Sequence, residues 1–332
     1  MIDSLIKKIE KKSNFLIIPS RPLDLDSIAS SIALKLFLER NSSKKASIIV
    51  FSEIPAYLND FEGIGYVNRE FVNSFDFTKY DLIFLIDGNE WTQFFTFNYS
   101  NIENSIDKQK IINIDHHQSG TIERDLPEQT YRKVDCSTGK VLFDTVMQSK
   151  IESDEIARFL MYSLVSDTNN FTHSIYPGTF AFAETLMGSN LNYYQISEQG
   201  FSKKSLEFLI WLAGKAEFFP DQKLCAVVIT KEDEKNIIKN FGEGWLKEKI
   251  DETFKKVFGG KIKGYPVFVL IREEHNGKNA RVIFRINNLC RIDLIKMLTE
   301  SGHFATGHLK AGVAQLEMSA ESALEYIKKL LS

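Results

Sequence analysis

Residues able to bind a divalent cation follow four apolar runs in this chain. Ile111-Ile112-Asn113-Ile114 leads directly into Asp115-His116-His117, a carboxylate and two imidazoles in succession. Asp24 and Asp26 follow the run 15–19, Asp87 closes the run 81–86, and Asp167 follows the apolar pattern 159–165. In an open parallel sheet, side chains just past the carboxyl ends of neighbouring strands converge on one crevice. Carboxylates and imidazoles gathered there would suit a hard or borderline divalent cation. Hydrolysis of a phosphoester by two such ions needs a particular inventory: two Asp facing different ions, a third Asp to bridge them, and a His with a further Asp. Asp24, Asp26, Asp87, His116 and Asp167 supply that inventory in order.

Each residue alone has a simpler explanation. Asp24 and Asp26 suit the start of a helix, where a side-chain oxygen satisfies free amides. Asp87 before Gly88 suits a turn, and His116 and His117 suit a loop. Capping does not explain why the runs 15–19, 81–86 and 111–114 each lead into Asp.

The elements that must position these groups follow from hydrophobic periodicity. In the first half, short β-rich runs at 15–19, 46–51, 81–86 and 111–114 alternate with helical patterns, the signature of βαβ units. Helices are predicted from Asp26, over 138–149 with Ser137 or Thr138 as cap, over 153–166, and over 178–188. Residues 204–217 read as a connecting helix. Beyond it the pattern predicts strands at 225–230, 267–272, 280–287 and 311–317, a charged helix over 232–257, and a helix over 292–301. A Gly/His-rich turn then precedes the 311–317 strand, and a terminal helix starts at Ala320. The fold class is therefore α/β: an N-terminal parallel-sheet domain (1–195), a connecting helix (196–219), and a smaller α+β C-terminal domain (220–332) with a mostly antiparallel sheet.

Composition narrows the function. The 332 residues are 43% hydrophobic and 26% charged, with a formal net charge of −3. That balance excludes a broad basic surface for duplex DNA, but not a small pocket for one or two phosphates. No apolar stretch has the length of a membrane span, and the opening residues form an amphipathic helix rather than a signal peptide. Cys136, Cys225 and Cys290 are scattered without metal-type spacing, which points to a reducing cytoplasm.

The same residues carry a family resemblance. SRPLDLDSIAS (20–30), LIDG (85–88), IDHHQS (114–119) and SDTNNF (166–171) resemble, in order, the four signature motifs of the DHH phosphoesterase superfamily. FRINNLCRIDLIKMLTESGHFATGHLKAG (284–312) resembles the DHH-associated C-terminal domain with its glycine-rich, histidine-ended motif. The resemblance implies that Asp24 and Asp87 hold one ion, while Asp26, Asp87, His116 and Asp167 hold the second. His117 would sit beside the scissile phosphate, with Asp115 orienting a neighbouring imidazole. Mn²⁺ is the implied ion, with Mg²⁺ as the alternative. Arg285, Gly307, His308 and His303 would receive the substrate, in a cleft between the domains. Among these, Gly307-His308 followed by Ala311-Gly312 is the better match to the glycine motif, and Arg285 also reads as an exposed strand residue.

The implied substrate is a small nucleotide or short single-stranded oligonucleotide, a cyclic dinucleotide, or a nucleotide bisphosphate. The implied fold is compatible with a homodimer. The chain departs from the family pattern at Ser20, where relatives carry a His, and at Lys140, where they commonly carry Glu. Ser20 defines the competing expectation, a nucleotide-binding regulatory protein with a degenerate first metal site. His173 and His275 read as loop residues.

Overall fold

The computed structural model describes residues 2–55, 58–59, 61–95, 106–117, 120–172, 174–193, 196, 203–243, 245–246, 250, 262–274, 277–287, 290–308 and 311–332. They form two compact units, Met1–Gln199 and Gly200–Ser332.

The first unit is built on a six-stranded sheet in the order β3-β2-β1-β4-β5-β6, every neighbouring pair parallel. Its strands are β1 (Asn14–Pro19), β2 (Lys45–Val50), β3 (Val67–Arg69), β4 (Leu82–Ile86), β5 (Ile111–Asp115) and β6 (Thr130–Arg132). The apolar runs are continuous because both sheet faces are covered. Alternate residues of one strand enter different cores: Phe15 and Ile17 pack on one side, Leu16 and Ile18 on the other.

Helix α1 (Ile2–Glu10) precedes β1, and α2 (Leu25–Glu39) follows it. Two short helices, α3 (Thr92–Phe95) and α4 (Thr121–Asp125), follow β4 and β5. After β6 come α5 (Thr138–Thr145), α6 (Asp154–Asp167) and α7 (Thr179–Met187). The chain runs from β1 outward to β2 and β3, then returns to β4 on the other side of β1. That reversal opens a crevice at the carboxyl ends of β1 and β4.

The second unit carries a sheet in the order β11-β12-β10-β9-β8-β7. Its strands are β7 (Ala216–Phe219), β8 (Leu224–Ile229), β9 (Val267–Glu274), β10 (Asn279–Ile286), β11 (Phe304–His308) and β12 (Ala311–Leu316). Only β8 and β9 pair in parallel; the other pairs are antiparallel. Helices α8 (Lys203–Gly214) and α9 (Lys231–Phe241) cover one face through Phe208, Leu212 and Ile237. Helices α10 (Leu294–Glu300) and α11 (Ala320–Leu331) cover the other through Leu294, Leu298 and Ile327.

Several expected boundaries shift for identifiable reasons. The 204–217 helix stops at Gly214, and 216–219 instead becomes an edge strand paired with β8. The charged helix ends at Phe241 because Gly242, at φ +101°, turns the chain; residues 244, 247–249 and 251–257 of that expectation lie outside the described residues. The Gly/His-rich segment is largely a strand, with its turn at Gly302 (φ +84°). Among the described residues no helix is long and apolar enough to cross a membrane.

Candidate metal centre

The first turn of α2 carries Asp26, whose side chain is 0% exposed. Ser30, one helical turn on, donates to Asp26 Oδ1 (3.0 Å), and the Thr138 amide at the start of α5 donates to Oδ2 (2.9 Å). A buried carboxylate requires such donors, because leaving it unsolvated is costly.

Asp87 follows β4 with a φ of +67°, a left-handed conformation that Asp tolerates better than most residues. The turn is held by its amide on the Ile114 carbonyl (2.9 Å). Gly88 follows because a Cβ there would meet Phe94 Cζ at 2.7 Å. Thr138 Oγ1 donates to Asp87 Oδ1 (2.7 Å), so one residue ties Asp26 and Asp87 together, by its amide and its hydroxyl.

His116 follows β5. Its Nδ1 lies 3.1 Å from the Asp135 carbonyl oxygen. A carbonyl only accepts, so Nδ1 carries the proton and Nε2 is the atom offered to the carboxylates. Nε2 stands 3.0 Å from Asp167 Oδ2, 3.5 Å from Asp87 Oδ1 and 3.8 Å from Asp26 Oδ2. Asp167, the last residue of α6, keeps 23% of its side chain exposed. His117 Nδ1 is 2.7 Å from the buried Asp115 Oδ1 and 3.8 Å from Asp87 Oδ1, with 46% of its side chain exposed.

The electrostatics follow from crowding. Burial first, then the charges of Asp26 and Asp24, push the Asp87 carboxyl well above its ordinary range. Burial and Asp26 push Asp167 up to about 7, against the opposing pull of His116. Burial alone would lower His116, but the hydrogen bond and charge of Asp167, with Asp87 and Asp26 behind them, raise it to about 12. His117 is lowered by burial and raised more by Asp115. Without a metal, the cluster therefore retains protons at neutral pH that a cation would displace.

Among the described residues two donor sets each bring their ligand atoms within 4.8 Å of one another: Asp87 with His116 and His117, and Asp26 with His116 and Asp167. Mixed oxygen and nitrogen donors, crowded carboxylates, and an imidazole oriented by a carbonyl on its other nitrogen all fit a divalent cation.

The structure thus brings Asp26, Asp87, His116, His117 and Asp167 together, with Asp115 behind His117. Asp24 is placed differently. Its Oδ1 accepts from the Ser27 amide (2.9 Å) in a capping box, and it belongs to neither donor set, though its charge still raises Asp87. Ser20 is buried, with its amide on the Ile86 carbonyl (2.9 Å). Lys140 is buried against Asp144 and the Phe182 ring. Sequence reasoning missed the roles of Ser30, the Asp135 carbonyl and Thr138. Of these only Thr138 left a signal, as a helix cap, and the strand before it, β6, is too short to show an apolar run.

In the second unit, strand register sets Arg285, Ala311 and His308 side by side across β10, β12 and β11. Arg285 is half-buried, burial lowers its pKa, and among the described residues nothing hydrogen-bonds or ion-pairs with it. Gly307 pairs with Gly312, where a Cβ would meet Phe284 Cζ at 2.5 Å and the Thr306 carbonyl at 2.7 Å. His303 is apart from that row, its ring 5.1 Å from Tyr326 of α11. His173, His275 and the side chain of His308 lie outside what is described.

No curated protein matches the chain in sequence. An exopolyphosphatase-related protein from Bacteroides fragilis is similar in structure, with 19% identity, a TM-score of 0.77, and coverage of 99% of this chain and 95% of that one. A pGpG-specific phosphodiesterase, PggH, from Vibrio cholerae aligns with 12% identity over 96% of this chain and 98% of that one, at a TM-score of 0.42. The DHH family, N-terminal domain, matches residues 14–164, from β1 to within α6. Residues 14–164 are thus similar to the N-terminal domain of the DHH family.

Proposed function

We propose that the protein is a divalent-metal-dependent phosphoesterase acting on short oligonucleotides, cyclic dinucleotides or nucleotide bisphosphates. One observation carries this reading: Asp26, Asp87 and Asp167, from three separate segments, all lie within 4 Å of His116 Nε2. Bound Mn²⁺ or Mg²⁺ would acidify the attacking water and neutralise charge on the phosphoryl oxygens. Asp26, Asp87, His116 and Asp167 are the residues that would hold the ions. Thr138 and Ser30 fix the carboxylates, and the Asp135 carbonyl fixes His116 Nε2 toward them. His117, half-exposed, gives its Nδ1–H to Asp115, which favours the imidazolium, and in that protonated form it can offer Nε2–H to a phosphoryl or leaving-group oxygen. Arg285, its guanidinium unpaired among the described residues, suits a substrate phosphate. The three cysteines are free thiols, in keeping with a reducing compartment.

Two observations favour a second reading, a nucleotide-binding protein with one functional ion site. Ser20 offers no imidazole, and Asp24 is engaged as a helix cap. A Mn²⁺-supplemented hydrolysis screen with short RNA, cyclic dinucleotides and nucleotide bisphosphates separates the two. Turnover abolished by EDTA and by Asp87→Ala supports the enzyme. Nucleotide binding without turnover in any Mn²⁺ concentration supports the binding protein.

A further inference from the structure

The segment 133–140, between β6 and α5, serves the metal centre three times. The Asp135 carbonyl accepts from His116 Nδ1, and the Thr138 amide and hydroxyl donate to Asp26 and Asp87. The segment starts pinned to β5, where the Lys133 amide donates to the Asp115 carbonyl (3.2 Å). It ends in the first turn of α5, where the Lys140 amide donates to Ser137 Oγ (3.3 Å) and the Gly139 amide to Ser163 Oγ of α6 (3.1 Å). Between these anchors the Asp135 side chain holds the backbone itself. Its Oδ1 accepts from the Cys136 amide (2.9 Å). That N–H and the Asp135 carbonyl belong to one planar peptide, so the carboxylate that holds the first also aims the second.

The Asp135 carboxylate depends on a borrowed charge. Its side chain is 1% exposed, and Oδ2 is buried without an aligned hydrogen-bond donor, answered by the Lys133 ammonium at 2.7 Å. Lys133 is 58% exposed, on a flexible stem, and stands 3.6 Å from a second carboxylate, Asp144 Oδ2 of α5. Asp144 is in turn paired with Lys140, one helical turn away, whose side chain is 11% exposed and lies over the Phe182 ring. Among the described residues no other carboxylate is within ion-pair distance of Lys140. Two ammonium groups thus serve two carboxylates. With Lys140 gone, Asp135 and Asp144 would compete for Lys133, because an unanswered carboxylate attracts the nearest cation more strongly than a neutralised one.

We propose that Lys140 is a positioning residue for the metal centre: by neutralising Asp144 it leaves Lys133 to Asp135. The Asp135 carbonyl then stays on His116 Nδ1, and Nε2 stays toward Asp26, Asp87 and Asp167. The inference deepens the metal-dependent phosphoesterase reading, and rests on it only for what the bound ion then does.

The test uses full-length protein and two readouts that need no turnover. One is Mn²⁺ affinity by calorimetry; the other is solvent exchange of the His116 Nδ1–H in metal-free, histidine-labelled protein, read by proton–nitrogen NMR. Lys133→Met should weaken Mn²⁺ about 10- to 100-fold, as loss of a group behind a ligand does, and speed the exchange. Lys140→Met should act in the same direction at the lower end of that range, about 10-fold. Adding Asp144→Asn to Lys140→Met removes the competing carboxylate, and should recover most of the affinity and the slow exchange. Adding it to Lys133→Met should recover neither.

A Lys140 that only stabilises α5 would lower Tm in the single variant without recovery of affinity in the double, and that result overturns the inference. Unchanged affinity and exchange in folded Lys140→Met overturn it as well. If Lys140→Met does not fold, Lys133→Met decides, and an unchanged affinity and exchange there overturn the inference. If wild type binds no Mn²⁺, the metal-centre reading fails and the His116 exchange alone decides this one. If the variants behave as expected while wild type with Mn²⁺ hydrolyses no phosphoester, the hydrolase reading fails and this one stands.

Discussion

Removing metal should leave a protein that loses stability as pH rises from 5 to 7, the opposite of ordinary acid denaturation. In the metal-free fold Asp167 titrates at about 7, because burial and Asp26 oppose its charge. In the unfolded chain an Asp titrates near 3.9, on the order of three units lower. Across this window the folded state therefore holds about one more proton than the unfolded state, so stability falls by about 1.4 kcal/mol per pH unit. His116 acts in the same sense. Its folded pKa is raised to about 12, so its contribution is complete below the unfolded value of about 6.5 and is lost above it. Carboxylates with depressed pKa values, such as Asp81 under the Ser13 and Asn14 amides, gain their stability at lower pH and are complete by about pH 5.

Over two pH units the metal-free protein should lose about 3 kcal/mol. For a unit such as Met1–Gln199 this lowers Tm by roughly 6–12 °C. The assay is a series of thermal melts of EDTA-treated protein at pH 5, 6 and 7, repeated with saturating Mn²⁺. Because the ion displaces the protons, stabilisation by Mn²⁺ should grow with pH. A metal-free Tm that is flat or rises between pH 5 and 7 would refute the argument that these carboxylates are crowded together.

Other perturbations have definite expected outcomes. Asp87→Asn removes a repelling charge, so the metal-free variant should melt above metal-free wild type at pH 7.5, yet gain nothing from Mn²⁺. Thr138→Val deletes the hydroxyl on Asp87 Oδ1 (2.7 Å) while sparing the amide on Asp26; calorimetry should show Mn²⁺ affinity reduced about 10- to 100-fold. Ser20→His adds an imidazole where the DHH pattern that the chain resembles has one, and titration should show a second Mn²⁺ binding event tightened at least about 10-fold. Gly312→Ala forces a methyl against Phe284 and the Thr306 carbonyl, and denaturant unfolding should report a loss of about 1–3 kcal/mol.

The sequence made the first unit's central strands and its metal-ligating residues readable because each depends on a local pattern. β1, β2, β4 and β5 are apolar runs of strand length, and Asp26, Asp87 and His116 stand at or near the ends of such runs. β3 and β6 have three residues each, too few for a period to show. Asp24 and Asp26 look alike in sequence. Only the fold separates them, since one faces its own helix amides and the other faces Thr138 and His116. The bridge made by Thr138 is a contact over 51 residues to Asp87 and 112 to Asp26, and no spacing encodes it. His303 and His308 both stand in Gly-His pairs, and in sequence only the Ala311-Gly312 that follows favours the second; the fold adds that Gly302 turns the chain and His303 lies against Tyr326 of α11.

Anomalous diffraction from crystals grown with Mn²⁺ tests the centre most directly. The account predicts manganese peaks within coordination distance of Asp26, Asp87, His116 and Asp167. Manganese bound elsewhere on the chain, or absent from these four side chains at saturating concentration, would contradict it.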